Sequence, residues 1–154
     1  MGSCILACIT TLKDLFDDKT RIVIDDKWFI IGEYKNKLNQ SGQPRIGDEF
    51  LKWVLTNSWN TSRCQQTPVQ IDASGELEGF PTDDELSQFD RSDRKFVVTA
   101  LAYANHLGQP VPILNAVDSD WWIHKKPLQR VGISIEFLCS DQAARWRIEH
   151  GETA

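Results

Sequence analysis

The sequence predicts an α/β fold, specifically a three-layer α/β/α sandwich with a mainly parallel central sheet. Short apolar runs rich in β-branched residues, such as "RIVID" (21–25) and "ISIEFLC" (133–139), alternate with segments of helical periodicity. Strands that are apolar on both faces are typical of parallel sheets covered by helices on each side. With 154 residues, 41% of them hydrophobic, the chain is expected to form one domain over 1–154.

The first half of the sequence predicts the order helix, strand, helix, helix, strand. Helical spacing aligns six apolar residues of the first segment, namely Ile5, Cys8, Ile9, Leu12, Leu15 and Phe16. The strand "RIVID" then stops at Asp25 and Asp26. A helical period returns in "KWFIIGEYKNKL" and "IGDEFLKWVLTN", on either side of the loop "NQSGQP". "CQQTPVQID" predicts an edge strand, because Pro68 has no N–H to donate to a sheet.

The second half begins with a polar stretch, 73–90, which predicts a loop with one helical turn. A helix follows, with Ser92 as its N-cap and Gly108 at its end. "VPILNAV" and "ISIEFLC" predict two further strands, and "KKPLQRVG" predicts the short crossover between them. The tail after Ser140 is polar and is expected to be helical.

Charge and cysteine content restrict the classes of function. The net charge of −5 excludes a generally basic nucleic-acid-binding face, so RNA binding would require local basic patches or a mediating cation. No apolar run approaches the roughly 20 residues of a membrane span. The four cysteines form no CxxC pair, which predicts reduced thiols in a cytoplasmic protein. Cys4 and Cys8 are interpreted as core positions, and the scattered histidines argue against a zinc site with nitrogen and sulfur ligands.

Several carboxylates follow predicted strands or begin predicted helices. Asp25, Asp118 and Asp120 stand at strand ends, and the carboxyl ends of parallel strands meet at one edge of a sheet. Asp93 opens a helix, and Glu33 lies within one. Carboxylates in a shared pocket raise one another's pKa, and Mg²⁺ or Mn²⁺, which prefers oxygen ligands, removes that conflict. The pattern therefore indicates a candidate metal site.

Each of these acids also has a structural interpretation that spacing does not exclude. Asp25 and Asp26 can cap the following helix, and Asp93 suits the dipole of its helix. Asp118 and Asp120 can form a turn after a strand. Glu33 can pair with Lys37 at i+4.

Basic and aromatic residues near the acids are candidates for contact with RNA. Arg94, Lys95, Lys125 and Lys126 can form a rim that binds phosphates, although such charges are commonly a solvated face. Trp121 or Trp122 can stack on a base, although core packing is the commoner use of tryptophan.

Taken together, "DRSDRKFVVTALAYA", "VPILNAVDSDWW" and "VGISIEFLC" resemble the C-terminal half of a PIN domain. Asp93 matches the acid that opens a helix in that family, Asp118 matches the principal strand-end acid, and Asp120 matches the accessory one. Upstream, "VIDDKWFIIGEYKNKL" resembles the segment that carries the family's glutamate. Glu33 is the match there, with Asp48 or Glu49 as the fallback. The resemblance covers roughly 22–139, and Asn115 and Ala116 depart from the threonine that the family prefers.

The resemblance implies a small α/β/α sandwich that uses Mg²⁺ or Mn²⁺ to hydrolyse RNA phosphodiesters as an endoribonuclease. Many members are toxins of bacterial toxin–antitoxin pairs, so the expected partners are RNA, an antitoxin-like protein and a second copy in a homodimer. Glu33, Asp93 and Asp118 would be the metal ligands, and Asp120 would assist them.

One departure from the family pattern opens an alternative function. PIN domains usually begin with a strand that ends in D-x-N, lies in the middle of the sheet and supplies the first metal-binding acid. No such motif precedes "SCILACITTL". We expect a chain shortened at its N-terminus; the other interpretation is that Asp25 substitutes for the first acid. The alternative function is a catalytically degenerate PIN-like module that binds a protein partner.

Overall fold

The computed structural model describes residues 2–17, 21–116 and 118–139, and within them the chain is a mixed α/β protein, as predicted. The elements in chain order are α1 (Gly2–Asp17), β1 (Ile22–Asp25), α2 (Phe29–Lys37), α3 (Ile46–Asn57), β2 (Cys64–Thr67), α4 (Arg94–Leu107), β3 (Pro112–Asn115), α5 (Ser119–Ile123), α6 (Lys125–Arg130) and β4 (Ser134–Phe137). Two short 3-10 turns, Asp84–Leu86 and Arg91–Asp93, precede α4. The predicted tail helix after Ser140 lies outside the described residues.

The four described strands form two separate parallel pairs. β1 pairs with β2, with Ile22 opposite Cys64, and β3 pairs with β4, with Pro112 opposite Ser134. Pro68 directly follows β2, and no further strand pairs with β2 among the described residues. The predicted parallel pairing is confirmed for both pairs, whereas a single three-layer sandwich stays a prediction.

Helix α4 links the two halves of the structure. It contacts β1 and β2 of one strand pair and β3 of the other pair. Its Phe96 packs against both hydrophobic cores. One core contains Ile24, Ile30, Ile31, Val54 and Cys64. The second core contains Leu86, Phe89, Val97, Ala100, Trp121, Leu128 and Ile133. These contacts with both strand pairs fix the position of α4 and therefore of the residues at its N-terminus.

Asp25 caps helix α2. Its side chain is 0% exposed, and its two oxygens accept hydrogen bonds from the backbone N–H groups of Phe29 (2.8 Å) and Ile30 (2.9 Å). The first N–H groups of a helix lack intrahelical partners, so a buried carboxylate there satisfies two donors at once. The capping interpretation is confirmed for Asp25. It is wrong for Asp26, whose carboxylate accepts from the N–H of Val69 beyond β2.

The start of α4 differs from the prediction in one residue. Asp93, not Ser92, occupies the N-cap position of α4 and makes no side-chain cap hydrogen bond, whereas Asp90 caps the preceding turn by accepting from the N–H and the hydroxyl of Ser92. The turn Arg91–Asp93 intervenes before the helix proper. At the other end, Gly108 terminates α4 with a left-handed φ of 70°, as predicted.

The prediction of four reduced cysteines is wrong. Cys4 of α1 and Cys139, which follows β4, form a disulfide across a sequence separation of 135 residues. Cys8 and Cys64 are free thiols. Cysteine spacing carries no signal for a pair so far apart in sequence, because only the tertiary fold brings the start of α1 beside the end of β4. Within the described ranges, no helix combines the length and the apolar character needed to cross a membrane.

Removing the Asp25 cap is expected to destabilise the protein. Asp25→Ala leaves two N–H groups of α2 without partners at a buried position, which should lower the free energy of unfolding by about 2–3 kcal/mol in urea titrations. Asp25→Asn keeps one acceptor oxygen and should lose less. Asp14→Ala, an exposed site on α1, is the control and should leave the midpoint unchanged. A stability of Asp25→Ala equal to that of the control would contradict the capping role.

Candidate functional site

Asp93 lies half-buried at the N-terminus of α4. Its Oδ2 accepts a hydrogen bond from the indole Nε1 of Trp121 at 3.2 Å, and Trp121 itself is only 3% exposed. Burial raises the pKa of Asp93, and the negative charges of Asp90, Asp118 and Asp120 raise it further, to about 6. We call Asp90, Asp93, Asp118 and Asp120 the acidic group.

The turn after β3 brings the strand-end acids to this helix terminus. Asp118 Oδ1 accepts from the N–H of Asp120 at 2.9 Å and so caps α5, which confirms its turn-forming role. Asp120 reaches across to the other segment, where its Oδ2 accepts from the N–H of Asp90 at 2.9 Å. The Oδ1 of Asp120 lies 3.3 Å from His124 Nδ1. Asp120 therefore connects the start of α5 to the turn that precedes α4.

Glu33 of α2 lies between two lysines. Its Oε1 is 2.8 Å from the Nζ of Lys37, as the i+4 spacing predicted, and its Oε2 is 2.7 Å from the Nζ of Lys95 on α4. Hydrogen bonds from Lys37 and then Lys95 hold the pKa of Glu33 below its usual range. The pKa of Lys37 is raised by its bond to Glu33 and, to a smaller extent, by the charges of Asp93 and Asp118. Glu33 therefore belongs to the same charged surface as the acidic group, but two ammonium groups already neutralise it.

The spacing of these carboxylates is wider than that of ligands around one bound ion. Among the described residues, the ligand atoms of Glu33, Asp93 and Asp118 do not all come within 4.8 Å of one another. From the residues that the structure describes, Oδ1 of Asp93 and Oδ2 of Asp118 accept no hydrogen bond. Carboxylate oxygens are ligands that Mg²⁺ and Mn²⁺ accept, but Glu33, Asp93 and Asp118 would have to move closer together to share one such ion.

Three other predicted ligands serve elsewhere in the fold. Asp25 is fully engaged in capping α2. Asp48 is buried and accepts from the N–H groups of Asn39 and Arg45, so it caps α3, while Glu49 is exposed on that helix. The structure brings none of these three into the acidic group.

Three of the four predicted RNA-binding residues make contacts within the protein, and only two of these three bond to polar groups. Arg94 donates to the carbonyl oxygens of Ser87 and Phe89, and Lys95 pairs with Glu33. Lys125 Nζ lies 4.0 Å from the ring centroid of Trp122, and Lys126 is exposed on α6. Lys125 and Lys126 are therefore better placed than the first two to meet a phosphate.

The two adjacent tryptophans have different surroundings. Trp121 is in the second core, in edge-to-face contact with Phe89 at 5.0 Å, so it is not available to stack on a base. Trp122 is half-buried, with its ring 4.9 Å from that of Phe137. The core-packing interpretation is confirmed for Trp121.

Sequence reasoning missed Asp90. Its charge is the second-largest cause of the raised pKa of Asp93, after burial, and its backbone N–H holds Asp120. The signal was present in "DRSD", since an aspartate two residues before a serine that precedes a helix is typical of a capping turn. No sequence pattern predicts that the charge of Lys37 lies near Asp93, because this proximity depends on the packing of α2 near α4.

Comparisons of this chain with models of protein families, with characterised proteins and with solved structures find no match. The functional interpretation of the acidic group therefore depends on its geometry and on the motif resemblance.

The raised pKa of Asp93 predicts a specific pH dependence of stability. The folded-state pKa of Asp93 is about 6, above the usual value near 4, so the folded protein holds this proton more tightly than the unfolded chain does. The resulting stabilisation is fully present below about pH 4 and is lost as the pH rises through about 6. Asp93→Asn avoids that loss and keeps an acceptor for Trp121. The variant should be more stable than the parent at about pH 7, by about 1–2 kcal/mol, and the difference should vanish below about pH 4.

The measurement is urea unfolding at a series of pH values. Asp14→Asn, which removes an exposed carboxylate from α1, is the matched control and should track the parent at every pH. An Asp93→Asn variant less stable than the parent at neutral pH would contradict the assigned environment of Asp93.

Proposed function

We propose that this chain is a PIN-type, Mg²⁺- or Mn²⁺-dependent endoribonuclease that hydrolyses RNA phosphodiesters. The observation that carries the proposal is Asp93, a carboxylate whose pKa is raised to about 6 by its burial first and then by the charges of Asp90, Asp118 and Asp120. Like charges converging on one point are unfavourable in a folded protein unless something compensates them. A divalent cation is the compensation that also suits a nuclease.

The proposal includes the three-layer sandwich. β1 and β3 both contact α4, yet they belong to different strand pairs. In the family that the motifs resemble, the first strand lies in the middle of the sheet and carries the first acid. In a sandwich of that kind, both strand pairs would belong to one parallel sheet covered by α4.

The described residues would have different roles at this site, as metal ligands or as positioning residues. Asp93 and Asp118 would hold the cation through the oxygens that accept no hydrogen bond, and Glu33 would contribute once Lys37 moves away. Asp120 would act as a positioning residue, since both of its oxygens are engaged by Asp90 and His124. A bound divalent cation would activate water and offset the charge that builds on the phosphoryl group.

RNA binding by a chain of net charge −5 requires local compensation. Lys125 and Lys126 lie on α6, which follows the helix that Asp118 caps. These two lysines would contact backbone phosphates beside the cation. The resemblance further suggests the toxin of a toxin–antitoxin pair, with an antitoxin-like protein as partner.

A second candidate function is supported by the lysines around Glu33. With Lys37 and Lys95 both bonded to Glu33, one of the three expected ligands is neutralised without any cation. A PIN-like module that has lost its metal would keep the fold and bind a protein. The adjacent side chains of Ile5 and Leu6 on α1, 58% and 64% exposed, offer an apolar surface for such a partner.

RNA cleavage distinguishes the two candidates. Single-stranded RNA incubated with the parent chain and Mn²⁺ should be cut, and Asp118→Asn should reduce the rate on the order of 100-fold or more, because it removes a charge from the cation while keeping the cap of α5. Asp14→Asn, outside the acidic group, should cleave at the parental rate.

Calorimetry with Mn²⁺ accompanies the cleavage assay. Binding that Asp118→Asn weakens supports the nuclease. Equal cleavage by the parent and Asp118→Asn would refute the assignment. Absence of both cleavage and Mn²⁺ binding by a folded chain would favour the degenerate interaction module.

A further inference from the structure

Three of the four cysteines meet at one place, outside the acidic group. The sulfur atoms of Cys4, Cys8 and Cys139 all lie within 4.8 Å of one another. Cys4 and Cys8 are one turn apart on α1, and i, i+4 spacing puts them on the same face of the helix. Cys139 follows β4 and is 5% exposed. We call these residues the cysteine cluster.

The Cys4–Cys139 disulfide accounts for only two members of the cluster. Cys8 is a half-buried free thiol placed against the disulfide, and it forms no bond with either sulfur. Cys64, the other free thiol, is in the first core, where burial raises its pKa to about 11. Cys64 is therefore an apolar core residue, whereas Cys8 faces two potential ligands.

The spacing of the cluster suits a cation that prefers sulfur. A tetrahedral Zn²⁺ site has zinc–sulfur distances of about 2.3 Å, which puts its sulfurs roughly 3.8 Å apart. The three sulfurs lie within 4.8 Å of one another, and two of them are held together by the disulfide until it is reduced. Thiolates select Zn²⁺ and Cu⁺ over the hard cations Mg²⁺ and Mn²⁺. The cluster is thus chemically distinct from the acidic group.

We propose that Cys4, Cys8 and Cys139 form a three-thiolate site for a soft or borderline cation of the Zn²⁺ class, closed by the disulfide and opened by its reduction. The proposal is independent of the nuclease function. It differs from the sequence-based expectation, which favoured core positions for Cys4 and Cys8 over a shared metal.

The redox step balances with a dithiol as reductant. Reduction breaks the S–S bond between Cys4 and Cys139, transfers two electrons and two protons to the two sulfurs, and oxidises the dithiol to its own disulfide. Binding of the cation then releases up to three protons, because coordinated thiols are deprotonated. In the oxidised chain only Cys8 offers a thiolate, so the oxidised chain should bind the cation weakly.

The test uses the full chain reduced by a phosphine, which does not compete for the cation as a dithiol does. Co²⁺ titration should produce the near-ultraviolet thiolate charge-transfer band, and Zn²⁺ should displace Co²⁺ at one equivalent. Cys8→Ser retains the disulfide partners and should lower the affinity on the order of 100-fold, since even indirect partners of metal ligands change affinity by roughly 10–100-fold. Far-ultraviolet circular dichroism confirms that each protein is folded.

Cys64→Ala is the matched control, because Cys64 is a free thiol outside the cluster. It should bind Co²⁺ as the parent does, and the oxidised parent should give no charge-transfer band. A reduced parent without the band would overturn the proposal, as would equal binding by Cys8→Ser. If Cys64→Ala lowered the affinity for Co²⁺ as much as Cys8→Ser does, the proposal would also be overturned. Binding would then not be specific to the cysteine cluster of the folded chain.

Discussion

The contact between Asp93 and Trp121 organises the charged surface of this protein. Trp121 is fixed by the second core, where its ring meets Phe89 edge-on at 5.0 Å, and its indole N–H holds the carboxylate of Asp93 at 3.2 Å. Asp93 begins α4, the helix that contacts both strand pairs. A buried aromatic with a polar handle thus fixes one carboxylate at the point where the two halves of the fold meet.

The fold compensates the charges around Asp93 in two different ways. At Glu33, two lysines supply ion pairs, and the pKa of Glu33 falls. At Asp93, the hydrogen bond from Trp121 is outweighed by burial and by the neighbouring acids, and the pKa rises. Structural carboxylates are normally arranged as Glu33 is, with partners that favour the charged form. The arrangement of Asp93 is the opposite, and it lowers the stability of the fold at neutral pH. We therefore assign Asp93 a role beyond folding.

Periodicity predicted the regular elements well, and turn chemistry predicted their ends less well. The segment "IGDEFLKWVLTN" coincides with α3, and Gly108 ends α4 as expected from its freedom to adopt positive φ. Both signals are local. Serine is a good capping residue, but Ser92 donates to Asp90 in the preceding turn, and Asp93 occupies the N-cap position of α4.

The parts of the site that depend on tertiary packing were beyond the sequence. Three contacts join residues that are far apart in sequence. The hydrogen bond from the Asp90 N–H to Asp120 spans 30 positions, the ion pair of Lys95 with Glu33 spans 62, and the disulfide of Cys4 with Cys139 spans 135. No periodicity or local spacing encodes such contacts. The motif order did predict that Asp93 and Asp118 would share a neighbourhood, because both stand at element ends that a parallel α/β fold brings to one edge.

Under the proposed function, a divalent cation compensates the charge of the acidic group at Asp93. The most direct measurement is a ¹³C NMR titration of the Asp93 carboxyl group with and without Mg²⁺, which is diamagnetic. We expect an Asp93 pKa of about 6 without the cation and a fall toward or below the usual value near 4 with saturating Mg²⁺. An Asp93 pKa that is elevated and does not respond to Mg²⁺ would contradict the proposed cation site.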